Sequence, residues 1–226
     1  MNNICLIPAR GGSKRIPRKN IKDFHGKPII AWSIIAAKSS ELFDEVYVST
    51  DDDEIAEISR LYGANIPFMR PNYISDDYAI DKDVIEHFIK WLNSNKIKAD
   101  NLCYLYATAP FISKETLIGC KDLLVNSGAS SSITVTNYDY PVLRSLKKSK
   151  NGFLSFAWEE YANYRSQDLP DLIHDAAQCY FYDLKKYGKE SSMVGYHIPR
   201  LYCPDIDTIE DFEIAYKSHT IDYQRL

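Results

Sequence analysis

IPARGGSKRIPRKN, residues 7–20, begins as the end of a buried strand and turns into a loop carrying Gly11, Gly12 and five cations (Arg10, Lys14, Arg15, Arg18, Lys19) without a single acid. The apolar run that leads into it, ICLIPA (4–9), stops at a proline, as the C-terminal end of a parallel strand buried on both faces does. Outward from this point strand-like and helix-like segments alternate. PIIAWSIIAAKSS (28–40) is apolar enough for a buried helix, and EVYVST (45–50) is a β-branched strand. DDDEIAEISRLYG (51–63) spaces Ile55, Ile58, Leu61 and Tyr62 along one helical side and closes at Gly63. IPFMRP (66–71) reads as a short edge strand. A helix with Val84, Ile85, Phe88, Ile89 and Leu92 on one face follows, then the strand NLCYLYATAP (101–110). Leu117, Cys120, Leu123 and Leu124 mark a further helix before the strand SSITVT (131–136). Residues 138–172, rich in Tyr, Ser and Lys, break the alternation as an excursion from the sheet. AAQCYFY (176–182) resumes as strand, and IDTIEDFEIAYKS (206–218) closes as a helix with Thr208 and Asp211 as its start signature.

Repeated strand–helix–strand units require crossovers and hence a mostly parallel sheet flanked by helices, an α/β fold. At 226 residues one such domain spanning 1–226, with 138–172 as a subdomain, is expected. In sheets of this kind ligands bind beyond the carboxyl ends of the strands. The basic loop, Thr50-Asp51, ATAP and PDID are therefore expected at one rim.

A net charge of −4 argues against bulk binding of nucleic acid or an anionic membrane, so the basic loop suits a small anion. No run approaches the length of a membrane span, and the first apolar run breaks at Pro8, unlike a signal peptide. The five cysteines are far apart with no CxxC pair, which suits reduced thiols in a cytoplasmic protein.

The loop is neither GxxxxGK[ST] nor GxGxxG. Its glycines let backbone N–H groups approach an anion closely, and Arg10, Lys14 and Lys19 can neutralise a triphosphate and its departing pyrophosphate. Such charge-assisted contacts contribute about 1.5–3 kcal/mol each when desolvated. In PDIDT (204–208) an extended backbone puts Asp205 and Asp207 on one side. Two carboxylates there suit Mg²⁺ together with substrate phosphates; the competing role for Asp207 is to cap the last helix. Arg70, Arg144 and Arg165 can each fork onto a carboxylate or phosphate or lie on the surface. Asp51–Glu54 fit an acidic helix start rather than a metal site. His174 beside Asp175 is more readily a hydrogen-bonded structural histidine than a functional one, and no Ser-His-Asp order or HExxH supports covalent hydrolysis.

IPARGGSKRIPRKNIKDFHGKPIIAWSI (7–34) resembles the opening of the CMP-sialic acid synthetase family, the cytidylyltransferases that activate nonulosonic acids. The resemblance continues through VYVSTDDDEIAEI, PFMRP, LYATAPF and DIDTIEDF and spans nearly the whole chain. LYATAPF, YRSQDL and HDAAQCYFY look most like the pseudaminic acid branch. The resemblance implies a Rossmann-like sheet of the nucleotide-diphospho-sugar transferase type and transfer of CMP from CTP to the sugar. It implies CTP over Arg10, Gly12, Ser13 and Lys14, with Lys19, Asn20 and Arg70 holding the cytidine. Arg10, Lys14 and Asp207 are the expected catalytic set, and Asp205 and Asp207 the Mg²⁺ ligands. Tyr106, Arg144, Arg165 and Gln178 are the expected sugar contacts. A homodimer is implied, with the 138–172 excursion reaching toward the partner's site. Two departures stand out: Ala177 replaces an expected glycine, and SDDYAIDKDV (75–84) is more charged than the family's usual hydroxyl-bearing segment, so no nucleotide contact is carried over from it. Legionaminic acid, sialic acid or Kdo remain alternative sugars, and a silent nucleotide-binding regulatory module is the alternative outside the class.

Overall fold

Strand β1 (Asn3–Pro8) is the centre from which the computed structural model is most simply described; residues 1–223 are described, and the last three residues of the expected 1–226 domain lie outside the described residues. β1 pairs in parallel with β4 (Glu45–Ser49) on one side and β5 (Asn101–Leu105) on the other. Alternate residues of β1 serve opposite faces. Ile4 and Leu6 pack with Phe88 and Leu92 of helix α3 (Asp81–Ser94). Cys5 and Ile7 pack with Ile30 and Ile34 of α1 (Ile29–Ser39) and with Leu117, Cys120 and Leu124 of α4 (Lys114–Ser127). Burial on both faces is why the strand reads as an unbroken apolar run rather than an alternating one.

Helix boundaries follow the local chemistry. α2 (Asp53–Leu61) starts where the Asp52 carboxylate accepts the Ile55 N–H at 3.0 Å and ends before Gly63, whose φ is +88°. Ser113 caps α4, accepting from the Thr116 N–H at 3.2 Å, and Gly128 terminates it in a left-handed conformation. Thr208 and Asp211 exchange hydrogen bonds at the start of α5 (Ile209–Tyr223), so the cap of the last helix is Thr208 and not Asp207.

The sheet has six strands in the order β10-β6-β9-β5-β1-β4, with β6 at Ser131–Asn137, β9 at Ile173–Asp183 and β10 at Met193–His197. All neighbours are parallel except β9, which is antiparallel to both β5 and β6. β9 therefore begins, rather than ends, at the rim where β1 and β5 finish. IPFMRP does not form the expected strand: it contributes one isolated bridge, Thr50–Met69, next to a second at Tyr47–Asn65 just before it, because Pro67 and Pro71 supply no N–H to a ladder. A small ribbon, β2 (Asp23–Phe24) with β3 (Lys27–Pro28), joins the basic loop to α1. The 138–172 excursion holds the hairpin β7 (Leu146–Lys148) and β8 (Leu154–Phe156) outside the main sheet. Leu146, Phe153, Leu154 and Trp158 of this region are exposed.

Candidate active site

The basic loop is nailed down by one apolar residue. Ile16 is buried against Phe24, Ile206 and Phe212, which brings residues near 206 from the far end of the chain beside it. Lys19 adds a polar tie: its Nζ donates to the Ile206 carbonyl at 2.7 Å and stands 3.6 Å from Asp207 Oδ1. Asn20 Nδ2 donates to the Arg10 carbonyl at 2.9 Å and closes the loop on itself. Gly11 donates its N–H to Asp51 Oδ1 at 2.9 Å, and a Cβ there would lie 2.7 Å from Asp52 Oδ2, so only glycine fits this approach. Its N–H therefore points at a protein carboxylate. A Cβ on Gly12 would meet open space.

Every loop cation has an acid, drawn from other segments. Asp77 pairs with both Arg10 (3.0 Å) and Lys14, Asp207 with Arg15 (2.8 Å), and Asp52 and Glu54 with Arg18. The loop's cations are thus neutralised from within the protein, although the loop itself holds no acid. Asp52 and Glu54 belong to the acidic start of α2, and Asp77 to SDDYAIDKDV. In this arrangement Asp77 stands where an anion would sit between Arg10 and Lys14. The Lys14 hydrogen bond holds its carboxyl below the usual range.

Beyond the loop lies a cavity of about 460 Å³ at the carboxyl ends of β1 and β5. Arg10, Ser13, Lys14, Lys19, Asn20, Arg70, Tyr106, Asp205 and Asp207 all line it, so nine of the sequence-derived site residues converge. Arg70 is the most constrained of them. It is 5% exposed, its Nη2 is 3.9 Å from Asp51, and neither its Nε nor its Nη2 has a hydrogen-bond partner. Leaving such groups unpaired costs about 1–3 kcal/mol, which an acceptor-bearing ligand would recover. Burial lowers the Arg70 and Lys19 pKa values, with nearby carboxylates opposing. Asp205 moves the other way, raised first by burial and then by the charge of Asp207.

Four expected residues lie elsewhere. Gly12 is not part of the cavity wall. Arg144 is exposed at the end of a 3₁₀ turn in the excursion. Arg165 forks onto Asp168 at 2.6 and 3.0 Å, also in the excursion. Gln178 is 1% exposed and turns its amide inward, donating to the carbonyls of Ala176 and Ala177 at 3.0 and 3.1 Å. The cause is a bulge: the β6–β9 register slips between Ile133 and Val135, and Ala177 adopts a φ of +50°. Those bulge carbonyls lack a ladder partner and the Gln178 side chain satisfies them. Ala177 itself lines the cavity, so the position where a glycine is expected carries a left-handed backbone. His174 Nδ1 meets the Asp175 carbonyl at 2.8 Å, a structural contact outside the cavity wall.

The cavity also has members that motif reading passed over, among them Tyr104 and Asp81, which join the expected Tyr106. Tyr104 and Tyr106, two apart on β5 and its extension, both reach Asp81 at the first turn of α3: Tyr104 donates to Oδ1 at 2.7 Å and Tyr106 to Oδ2 at 2.5 Å. The period-two spacing of the tyrosines was the available signal.

The chain matches the cytidylyltransferase family over residues 4–218. It belongs to that family. The cytidylyltransferase is 42% identical over 220 residues to the pseudaminic acid cytidylyltransferase of Campylobacter jejuni, covering 95% of each chain. It is 40% identical over 121 residues to the CMP-N,N'-diacetyllegionaminic acid synthase of Legionella pneumophila, covering 52% of this chain and 50% of the relative. Among solved structures, CMP:2-keto-3-deoxy-manno-octonic acid synthetase complexed with CTP superposes with a TM-score of 0.71 at 18% identity over the full length of both chains. That likeness places this cytidylyltransferase in an α/β nucleotidyltransferase fold, as its alternation of elements implies.

Proposed function

We propose that this cytidylyltransferase transfers CMP from CTP to pseudaminic acid. The anomeric oxygen forms a bond to the α-phosphorus, the bond from that phosphorus to the bridging oxygen of the β-phosphate breaks, pyrophosphate leaves, and the hydroxyl proton is lost. The observation that carries the reading is the buried Arg70 guanidinium, without a hydrogen bond at Nε or Nη2 in a cavity whose mouth is the basic loop. A pyrimidine offers acceptors to Arg70, while its triphosphate replaces Asp77 between Arg10 and Lys14. Lys19, Asn20 and Ser13 hold the loop and the nucleotide in register. Holding both reactants and neutralising developing charge supplies most of the acceleration in such transfers. The full-length relationship to the Campylobacter jejuni enzyme supports pseudaminic acid as the sugar.

Asp205 and Asp207 fit Mg²⁺. Both line the cavity, where burial first and then the charge of Asp207 raise the Asp205 carboxyl. Two carboxylates completed by phosphate oxygens and water is the usual Mg²⁺ pattern. No group of three His, Cys, Asp or Glu among the described residues is placed to hold a metal ion. Bound there, the cation would neutralise phosphate charge.

Arg144 and Arg165 lie on the exposed excursion with Leu146, Phe153 and Trp158. In a homodimer they would serve the partner's sugar site, and the exposed apolar side chains would be covered. The five free cysteines are compatible with a cytoplasmic setting.

Pyrophosphate release with Mg²⁺ and CTP, supplying pseudaminic, legionaminic and N-acetylneuraminic acids separately, tests the proposal. Release with pseudaminic acid is expected. Release with one of the others alone would move the specificity and keep the reaction. CTP binding without release for any sugar would leave a silent nucleotide-binding module.

A further inference from the structure

One wall of the cavity has an unusual hydrogen-bond polarity. Asp81 offers only acceptors when ionised, and its two oxygens take protons from two different hydroxyls, those of Tyr104 and Tyr106. Beside them Tyr180 packs edge-on against Tyr106, with ring centroids 5.6 Å apart, and donates to Asp175 Oδ2 at 2.6 Å. Each of these hydroxyls has one proton, and each proton is committed to a carboxylate. Tyr106 also interacts with the Tyr180 hydroxyl, so what it has left to show the cavity is an oxygen lone pair rather than a proton.

We infer that Asp81 is a positioning residue that fixes Tyr106 as a hydrogen-bond acceptor toward the sugar, selecting an N–H or O–H donor at that point. This rests on the reading that Tyr106 faces the sugar. The surroundings agree with it. Tyr104 is 1% exposed and cannot exchange its carboxylate for water, so Asp81 is held from beneath. Tyr106 is half-buried and lines the cavity together with Asp81. Burial and the Asp81 contact both push the Tyr106 hydroxyl pKa up, so it keeps its proton.

Asp81→Asn reverses the polarity at almost constant shape. Its single carbonyl goes to the buried Tyr104, where an unpaired hydroxyl is most costly, and its NH₂ then faces Tyr106. Tyr106 accepts from that NH₂ and turns its own proton toward the cavity. The expected result is a rise of about tenfold in the KM for the sugar with the KM for CTP unchanged. Tyr106→Phe should show the same loss, and the double variant should be no worse than Tyr106→Phe alone, because Asp81 acts through Tyr106. Independently of turnover, the tyrosine Raman doublet, taken as wild type minus Tyr106→Phe, should report a donor-only hydroxyl. The same difference in the Asp81→Asn background should report an acceptor. Equal losses in the two KM values, additive effects in the double variant, or an unchanged Raman ratio would each overturn the inference. Absence of pyrophosphate release by the wild type with every nonulosonic acid would remove the proposed reaction, and the Raman comparison would still decide what Asp81 does.

Discussion

Lys19 and Asp207 stand 3.6 Å apart although 188 positions separate them, and they do so where Ile16 and Ile206 are buried together. An apolar contact thus sets the distance between the basic loop and the carboxylates opposite it. Asp207 also receives Arg15, so one carboxylate is shared between two cations. Its side chain is 36% exposed and the α5 cap is carried by Thr208 and Asp211. Asp207→Ala should therefore lower pyrophosphate release by about a hundredfold or more, in the range seen when one electrostatic stabiliser is removed. The thermal midpoint should scarcely move. Near-normal turnover in this variant would exclude Asp207 from the chemistry.

Gly11→Ala puts a methyl group 2.7 Å from Asp52 Oδ2 and 3.0 Å from its Cβ. Asp52 cannot swing away cheaply, because Arg18 and the Ile55 N–H both hold it. The variant should lose about 1–3 kcal/mol in urea denaturation, as overpacked sites do. Gly12→Ala, with open space around it, is the matched control and should cost far less.

At Ala177 the opposite change should help. A left-handed backbone costs an alanine about 1–2 kcal/mol that a glycine does not incur, partly offset by the greater freedom of glycine in the unfolded chain. Ala177→Gly should raise the denaturation midpoint and widen the cavity wall by one methyl group. A lower midpoint would mean that the methyl packs against something worth more than the strain.

Acid stability should depend on Asp52. The Arg18 hydrogen bond, working against burial, holds its carboxyl below the usual value. The unfolded chain therefore binds this proton first as pH falls. The stabilisation is complete above the unfolded pKa of about 3.9 and is lost as pH drops through the depressed folded value. Asp52→Asn keeps the cap on α2 and removes the charge. It should be less stable than wild type by about 0.5–1 kcal/mol near neutrality, allowing for solvent screening of a partly exposed pair. The two denaturation curves should converge in acid.

Much of this was legible in the residues, and the exceptions share a cause. β1, β4, β5 and the four helices that flank them announce themselves because burial on two faces or one leaves a local period. Thr208 and Gly63 mark ends through contacts three residues long. What stayed hidden depends on partners distant in sequence. The acids that neutralise Arg10, Lys14 and Arg18 lie 34 to 67 positions away and carry no local sign of their pairing. β10 is short, lies at an edge, and contains Gly195, whose missing side chain admits Val135 of the neighbouring strand. Gln178 was expected at the rim from the resemblance and the run of its strand, and the bulge at Ala177 goes with a side chain turned inward onto the Ala176 and Ala177 carbonyls. Arg144 and Arg165 follow a family pattern, but the segment that bears them lies outside the main sheet and neither residue lines the cavity.

The reversed strand β9 also dictates an order of assembly. β6 and β10 have no ladder with β1, β4 or β5; every hydrogen bond joining the two groups runs through residues 173–183. As the chain leaves the ribosome, β1, β4 and β5 can pair at once, while β6 must wait through the whole excursion with its edges open. A chain arrested before β9 emerges would hold two unsealed sheet edges, the kind of surface that recruits strands from other molecules.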